Sequence, residues 1–110
     1  MIFMPMLELT IEAKVLSTFE GKEGERFTRS EIIEMVVKKF PGTNKSSVIP
    51  SDYCYNKINN GINFKFHVFE WVTRGVYKYL GRRYKFNGLV LWKGEEYGIW
   101  NDGHFKKFHS

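Results

Sequence analysis

The spacing of apolar residues changes partway along this 110-residue chain, and that change limits the folds open to it. Over residues 7–19, Ile11 and Val15 lie one helical turn apart, and similar spacing continues as far as residue 40. From Phe64 onwards apolar and polar residues alternate, with Phe64 and Phe66 facing the same way, as on a strand. The pattern predicts an α+β protein with helices first and a sheet after them.

Three helical segments are predicted within residues 7–55. The second should begin at Thr28, which lies three residues before Glu31 as in a capping box. The Pro41-Gly42 pair should end this helix. The third helix, from about residue 43, should kink or stop near Pro50, because proline removes a hydrogen-bond donor and clashes with the preceding turn.

Two helices joined by a tight turn and followed by a β-hairpin with a basic loop are typical of a winged helix. We therefore expect three N-terminal helices, a small antiparallel sheet over residues 64–100 and a basic wing loop. In such a fold the helix after the turn lies in the DNA major groove, and the wing contacts the backbone. Residues 1–110 should form one domain, with an apolar arm at 1–6 and a C-terminal tail at 104–110.

Charge is distributed unevenly. The net charge is +5, from 17 basic and 12 acidic residues. Residues 1–36 carry four basic and seven acidic side chains, a net −3, whereas residues 37–110 carry 13 basic and five acidic ones, a net +8. A basic half of this kind favours a polyanionic partner, and we expect double-stranded DNA.

The candidate DNA contacts fall mainly at the start of the third helix and in the wing loop. Short polar side chains at a helix start can approach phosphates or base edges, and arginine and lysine can hold phosphates. A capping role for the serines and an ordinary solvated loop remain the simpler alternatives. The candidate residues are Asn44, Lys45, Ser46, Ser47, Lys57, Arg74, Arg82, Arg83 and Lys85.

Features expected of an enzyme are missing from the sequence. There is no phosphate-binding glycine loop, and no Asp precedes Glu12-Ala13-Lys14 to complete a metal-dependent nuclease motif. The single cysteine, Cys54, allows neither an intrachain disulfide nor a cysteine-based zinc site. No catalytic residues, metal or cofactor are expected. No apolar run is long enough to span a membrane, and a cytoplasmic location is expected.

Three segments of the sequence carry a resemblance to a known family. TRSEII (28–33), FPGTNKSSVIPSDYCYN (40–56) and FEWVTRGVYKYLG (69–81) resemble a small bacterial winged-helix domain of uncharacterised type. That family occurs alone and fused to restriction-endonuclease-type modules. The resemblance implies a non-enzymatic DNA-binding protein, acting as a regulatory or targeting module of a restriction or defence system. The alternative is a protein-contact module, including a homodimer formed through the N-terminal arm or an aromatic surface.

Overall fold

The computed structural model describes residues 9–59 and 64–108. Strands make up most of the regular structure in these residues. In chain order the elements are α1 (Ile11–Thr18), β1 (Arg26–Thr28), α2 (Arg29–Lys39), two 3-10 turns (Lys45–Ser47 and Pro50–Tyr53), β2 (Lys57–Ile58), β3 (Phe69–Thr73), β4 (Val76–Tyr79), β5 (Gly88–Trp92), β6 (Glu95–Asn101) and β7 (His104–Lys107). Within residues 9–59 and 64–108, no helix is long and apolar enough to cross a membrane.

Both α-helices begin at a threonine that caps them. The Thr10 hydroxyl accepts a hydrogen bond from the Ala13 amide at 3.1 Å, which satisfies one free donor of α1. The predicted capping box of α2 is confirmed. The Glu31 amide donates to the Thr28 hydroxyl at 3.1 Å, and the Thr28 amide donates to the Glu31 carboxylate at 2.7 Å. These reciprocal bonds fix the point at which the chain passes from β1 into α2.

The first sheet has the order β1-β4-β3, with both pairs antiparallel. α1 and α2 pack on it through a first core whose fully buried members include Val15, Ile32 and Val36. Phe19 lies at the centre of this core, where its ring centroid is 5.0 Å from that of Phe27. Aliphatic side chains of the helices therefore meet aromatic side chains of the first sheet, such as Phe69 and Tyr79, in one core.

The second sheet has the order β2-β5-β6-β7, in which β2 runs parallel to β5 and the other pairs are antiparallel. Half of the buried residues of its core are aromatic. Tyr55 stacks on Phe86 with ring centroids 5.4 Å apart and planes inclined by 12°. Trp100 contacts Tyr55 edge-on at 5.5 Å. We call this buried group the second core; its members are Tyr55, Ile58, Leu80, Phe86, Val90 and Trp100.

Residues 54–56 join the two sheets. The Tyr55 amide donates to the Phe69 carbonyl at 2.8 Å, and the Leu91 amide donates to the Asn56 carbonyl at 3.0 Å. The Asn56 side chain also bonds both backbone groups of Trp71, at 2.8 and 2.9 Å. This amide takes the place of a neighbouring strand at the edge of β3, which limits further pairing there.

The winged-helix prediction is wrong, because residues 43–55 form no third α-helix and strands dominate the described residues, in two sheets. Lys45–Ser47 and Pro50–Tyr53 are single 3-10 turns separated by extended backbone at Val48 and Ile49. Short polar side chains compete with the helix for backbone hydrogen bonds, and the residue before a proline disfavours helical geometry. These two local effects outweigh the apolar spacing on which the helix prediction rested.

The limits of the predicted sheet are also wrong. Residues 64–68 alternate in sequence but form a turn and irregular backbone, and the strand β3 begins only at Phe69. Three strands lie outside the predicted range, because β1 and β2 precede it and β7 follows it. β7 occupies most of the stretch assigned to a tail. The predicted arm at residues 1–6 lies outside the described residues.

Candidate nucleic-acid interface

The basic loop, residues 81–87, connects the two sheets and is anchored to the protein at both ends. At its start, the amides of Leu80 and Gly81 both donate to the Val68 carbonyl, at 2.7 and 3.1 Å. At its end, Phe86 is buried in the second core, and its carbonyl accepts a bond from the Gly103 amide at 3.1 Å. The exposed residues between these anchors are therefore held on a supported backbone.

The hydroxyl of Tyr55 supports the middle of the loop. It donates to the Gly81 carbonyl at 2.7 Å and accepts from the Tyr84 amide at 3.0 Å. Burial raises the pKa of Tyr55, and the bond from the Tyr84 amide partly offsets this. The phenol thus keeps its proton at neutral pH and can continue to donate to Gly81.

The turn between β6 and β7 lies against the basic loop. The Asp102 amide donates to the Asn87 side-chain oxygen at 2.8 Å. Gly103 has a φ of +83°, and a Cβ at this position would lie 3.3 Å from the Cα of Lys85. Glycine suits this turn for two reasons: the backbone is left-handed, and the turn approaches Lys85 closely. The approach brings His104 to the same side as the basic loop.

Residues 65–67 form the third side of the site. The Nδ1 of His67 lies 3.1 Å from the Cys54 carbonyl, and the imidazole packs 5.3 Å from the Trp100 ring. Burial lowers the pKa of His67 from its usual value, so that the ring is neutral at pH 7. The Arg82 guanidinium lies 5.8 Å from the ring centroid of Phe66. This contact orients one cation of the loop over an aromatic wall.

Together these three segments enclose a cleft of about 450 Å³, which we call the basic cleft. Four of its side chains are cations at pH 7, and Asp102 is the one acid among its lining residues. Tyr84 is the most accessible aromatic side chain of the lining, with 47% of its surface exposed. Cations beside an exposed aromatic ring can bind phosphate and stack on a base. The lining residues are Tyr55, Lys65, Phe66, His67, Arg82, Arg83, Tyr84, Lys85, Trp100, Asp102, Gly103 and His104.

The nine candidate residues do not lie in one place. Arg82, Arg83 and Lys85 line the basic cleft, whereas Asn44 and Ser47 line a separate groove of about 640 Å³ that shares no lining residue with it. We call this second site the lysine groove, because Lys14 and Lys39 line it as well.

Side chains in and around the lysine groove are partly engaged by the protein. Lys14 Nζ donates to the Thr43 hydroxyl at 2.9 Å. The side-chain oxygen of Asn44 accepts from both the amide and the hydroxyl of Ser46, at 3.0 and 2.7 Å. Ser46 and Lys45 belong to the turn that Asn44 caps and are exposed. Asn44, rather than either serine, therefore caps this turn.

The remaining two candidates also lie outside the lining of the basic cleft. Lys57, in β2, has its Nζ 4.6 Å from the centroid of the Trp71 ring. Arg74 lies in the turn between β3 and β4, at the opposite end of β4 from the basic loop. The basic loop therefore connects the two sheets and does not form the tip of a hairpin, as a wing would. Among the candidate residues, only Arg74 lies at the tip of the β3–β4 hairpin.

Sequence reasoning missed several residues of the cleft. Lys65 and His67 were assigned to a strand, and His104 to a tail. Tyr84 lies between Arg83 and Lys85 in the sequence but was not selected. That interleaving was the available signal, since an aromatic residue flanked by cations is a common arrangement in nucleic-acid binding. Nothing in the spacing of the chain indicated that residues 65–67 would face the loop.

The chemistry of Cys54 and His67 does not match a nucleophilic pair. The thiol is buried, which raises the pKa of Cys54 to about 12, and its sulfur lies 3.6 Å from the Pro50 carbonyl. His67 faces the backbone carbonyl of Cys54 through Nδ1. Within residues 9–59 and 64–108, no three His, Cys, Asp or Glu side chains come together where they could hold a metal ion.

Comparison with known proteins places the chain in a family. It belongs to the DUF7225 family, a domain of unknown function, which matches residues 10–106. The chain is 38% identical over 87 residues to the uncharacterized protein YnaC of Bacillus subtilis (strain 168). That match covers 79% of this chain and 33% of YnaC, so the chain spans about a third of the length of this curated relative. No solved structure matches the chain. The expectation of a bacterial family of uncharacterised function is thus confirmed.

Proposed function

We propose that this chain is a non-enzymatic DNA-binding protein that holds the sugar–phosphate backbone in the basic cleft. The supporting observation is the convergence of Lys65, Arg82, Arg83 and Lys85 on one cleft, where Asp102 is the single carboxylate among the described lining residues. The arginine forks suit paired bonds to phosphate oxygens, and the lysines add point charges.

Anchoring of the basic loop favours this binding. The bonds from the Tyr55 hydroxyl and from the Gly103 amide already order the backbone that carries Arg82, Arg83 and Lys85. A loop that is ordered before binding loses less conformational entropy when it binds. The cations are therefore held together with little further loss of conformational entropy on binding.

The other candidate residues provide secondary contacts in this proposal. Lys45, Ser46 and Ser47 lie on an exposed turn and can bind phosphate, as can Lys57 and Arg74 at their separate positions. Asn44 is not assigned to reading a base, since its side-chain oxygen is already occupied by Ser46 and a bidentate contact with adenine needs both ends of the amide.

A titration of labelled DNA at several salt concentrations tests the proposal. Neutralising about four phosphates should give a slope of log K against log salt of roughly −3 to −4. Changing Arg82 and Arg83 together to Ala should weaken binding and reduce the slope by about 1.4 to 1.8.

The matched control for this experiment is Arg26→Ala with Arg29→Ala. These two exposed arginines lie in β1 and at the start of α2, so the control makes the same charge change outside the cleft. A control that weakens binding as much as the cleft variant would contradict the proposal, as would unchanged binding by the cleft variant.

Protein contact is the second candidate function, and one surface favours it. Leu89 and Leu91 flank the buried Val90 on β5 and are 42% and 38% exposed. Neighbouring exposed leucines on a sheet suit burial against another protein or a second copy of this chain. Sedimentation should then show a concentration-dependent dimer that Leu89→Lys with Leu91→Lys dissociates. A monomeric mass at all concentrations would exclude homodimer formation through this surface.

The biological setting that we propose comes from the sequence resemblance alone. In it the protein works in the cytoplasm as a regulatory or targeting module of a restriction or defence system. Deleting the gene should then change how efficiently the bacterium excludes foreign DNA, and unchanged exclusion would contradict this setting.

A further inference from the structure

We propose that the basic cleft takes an unpaired nucleotide, whose base stacks on Tyr84 while its neighbouring phosphates lie against Arg82, Arg83 and Lys85. This inference rests on the proposed nucleic-acid binding and goes further, because it names the form of nucleic acid that the cleft accepts. Unpaired DNA and unpaired RNA share this chemistry, and the experiment below distinguishes them.

The placement of the Tyr84 ring is the first argument. Its centroid lies 6.2 Å from Tyr55 and 6.5 Å from Phe86, with the planes inclined by 62° and 55°. Both contacts are edge-on or tilted, and nearly half of the side chain is exposed. The ring thus has surface available for stacking, whereas the parallel faces of Tyr55 and Phe86 are used by each other at 5.4 Å.

The position of Tyr84 within the chain is the second argument. Arg83 and Lys85 flank it directly, and its amide is fixed by the Tyr55 hydroxyl at 3.0 Å. Phosphates lie on both sides of each base along a strand, so cations on both sides of a stacking ring match that repeat. In an intact duplex the faces of a base are covered by the neighbouring base pairs. Away from the ends of a duplex, only an unpaired or extruded base can offer its face to this ring.

The shape of the protein is the third argument. The major groove of a duplex admits an α-helix or a two-stranded ribbon, and the helix expected to enter it is replaced by two short 3-10 turns. The exposed residues of α2 mix Glu31 and Glu34 with three cations, so this helix offers a duplex no uniformly positive face. The basic cleft, by contrast, is concave, and its volume of about 450 Å³ lies within the usual range of ligand pockets, roughly 300–1,000 Å³.

The test measures binding of three fluorescent probes at one salt concentration: oligo(dT) of 12 nucleotides, oligo(rU) of the same length, and a blunt 12-base-pair DNA duplex. At least one single strand should bind at least about tenfold more tightly than the duplex. Comparing the two single strands identifies the natural sugar. Tyr84→Ala should weaken single-strand binding roughly 5- to 140-fold, the range for loss of one stacked base.

Two further variants separate stacking from loss of structure. Tyr84→Phe keeps the ring and should bind single strands within about twofold of the unmodified protein, since stacking needs only the aromatic face. Phe108→Ala removes another exposed aromatic residue, outside the cleft lining, and should leave binding unchanged. Circular dichroism of each variant confirms that it is folded before binding is compared.

The outcomes distinguish this inference from the proposed function. Duplex binding that equals or exceeds single-strand binding, with Tyr84→Ala behaving like Phe108→Ala, would overturn the inference. If that duplex binding is salt-sensitive and is lost with Arg82→Ala and Arg83→Ala, the proposed function stands. Absence of binding to all three probes would overturn both.

Discussion

The two cores of this protein differ in their relation to the basic cleft, and the difference bears on function. The first core joins α1 and α2 to the first sheet by packing aliphatic helix residues around Phe19, Phe69 and Tyr79, none of which lines the basic cleft. The second core is half aromatic, and its Tyr55 and Trp100 also line the basic cleft. In the first region, the buried side chains that stabilise the fold are different from those that line the cleft. In the second region, some of the same side chains do both.

The largest effect expected in the first region is that of Phe19→Ala. The side chain is fully buried and contacts three aromatic rings, so its loss should reduce the free energy of unfolding by about 3–5 kcal/mol. Urea unfolding measures this loss. Nucleic-acid affinity of the folded fraction should not change, because Phe19 does not line the basic cleft. A large fall in that affinity would show that the two regions are coupled.

The corresponding change in the second region is Tyr55→Phe, which removes a hydroxyl and leaves the ring. Two hydrogen bonds to the basic loop are lost, and we expect about 1–3 kcal/mol of destabilisation together with weaker nucleic-acid binding. Tyr79→Phe, a buried tyrosine of the first core, is the matched control and should bind normally. Equal affinities for the two variants would argue against support of the loop by Tyr55.

A smaller effect is expected from Gly103→Ala. An L-residue in this left-handed backbone costs about 1–2 kcal/mol, and the added Cβ would lie 3.3 Å from Lys85 Cα. The β6–β7 turn should move away from the basic loop, which would weaken binding more than the stability loss alone explains. Gly21→Ala also has a positive φ but has open space around its Cβ, and it should cost stability without changing affinity.

The smallest effect concerns pH. The pKa of His67 is lowered in the folded protein, so the unfolded chain binds a proton more readily than the folded one. The stability gained from the neutral ring is present above the unfolded pKa of about 6.5 and is lost as the pH falls below it, at no more than about 1.4 kcal/mol per pH unit. Urea unfolding between pH 7 and 5 should show this loss in the unmodified protein. A His67→Phe variant with an equal pH dependence would assign the loss to other groups.

Local sequence signals predicted only the parts of this fold that local interactions decide. The capping box of α2 and the apolar face of α1 depend on residues a few positions apart, and both were read from the sequence. The predicted third helix does not form, because the side-chain cap of the first 3-10 turn and Pro50 outweigh the apolar periodicity that indicated a helix. β1 was missed because three residues are too few to show alternation, and its pairing with β4 is a long-range contact.

The candidate site was predictable to a similar extent. Arg82, Arg83 and Lys85 were selected because they are adjacent in sequence, and they do lie together. Lys65 and His104 reach the same cleft from segments about 20 residues away on either side. Their convergence depends on how residues 54–56 join the two sheets, and no spacing rule in the sequence encodes that junction. Asn44 was selected for a helix that does not form, and it caps a turn instead.

The central claim is that nucleic acid binds in the basic cleft, and the most direct test is to locate the binding surface. A backbone amide NMR titration with oligo(dT) reports on each segment separately, and the indole of Trp100 provides a further signal inside the cleft. The account predicts the largest shifts at residues 65–67, 82–85 and 102–104, and small shifts at residues 44–47 and 89–91. Shifts concentrated at residues 44–47 or at the exposed leucines of β5, with the basic cleft unaffected, would contradict it.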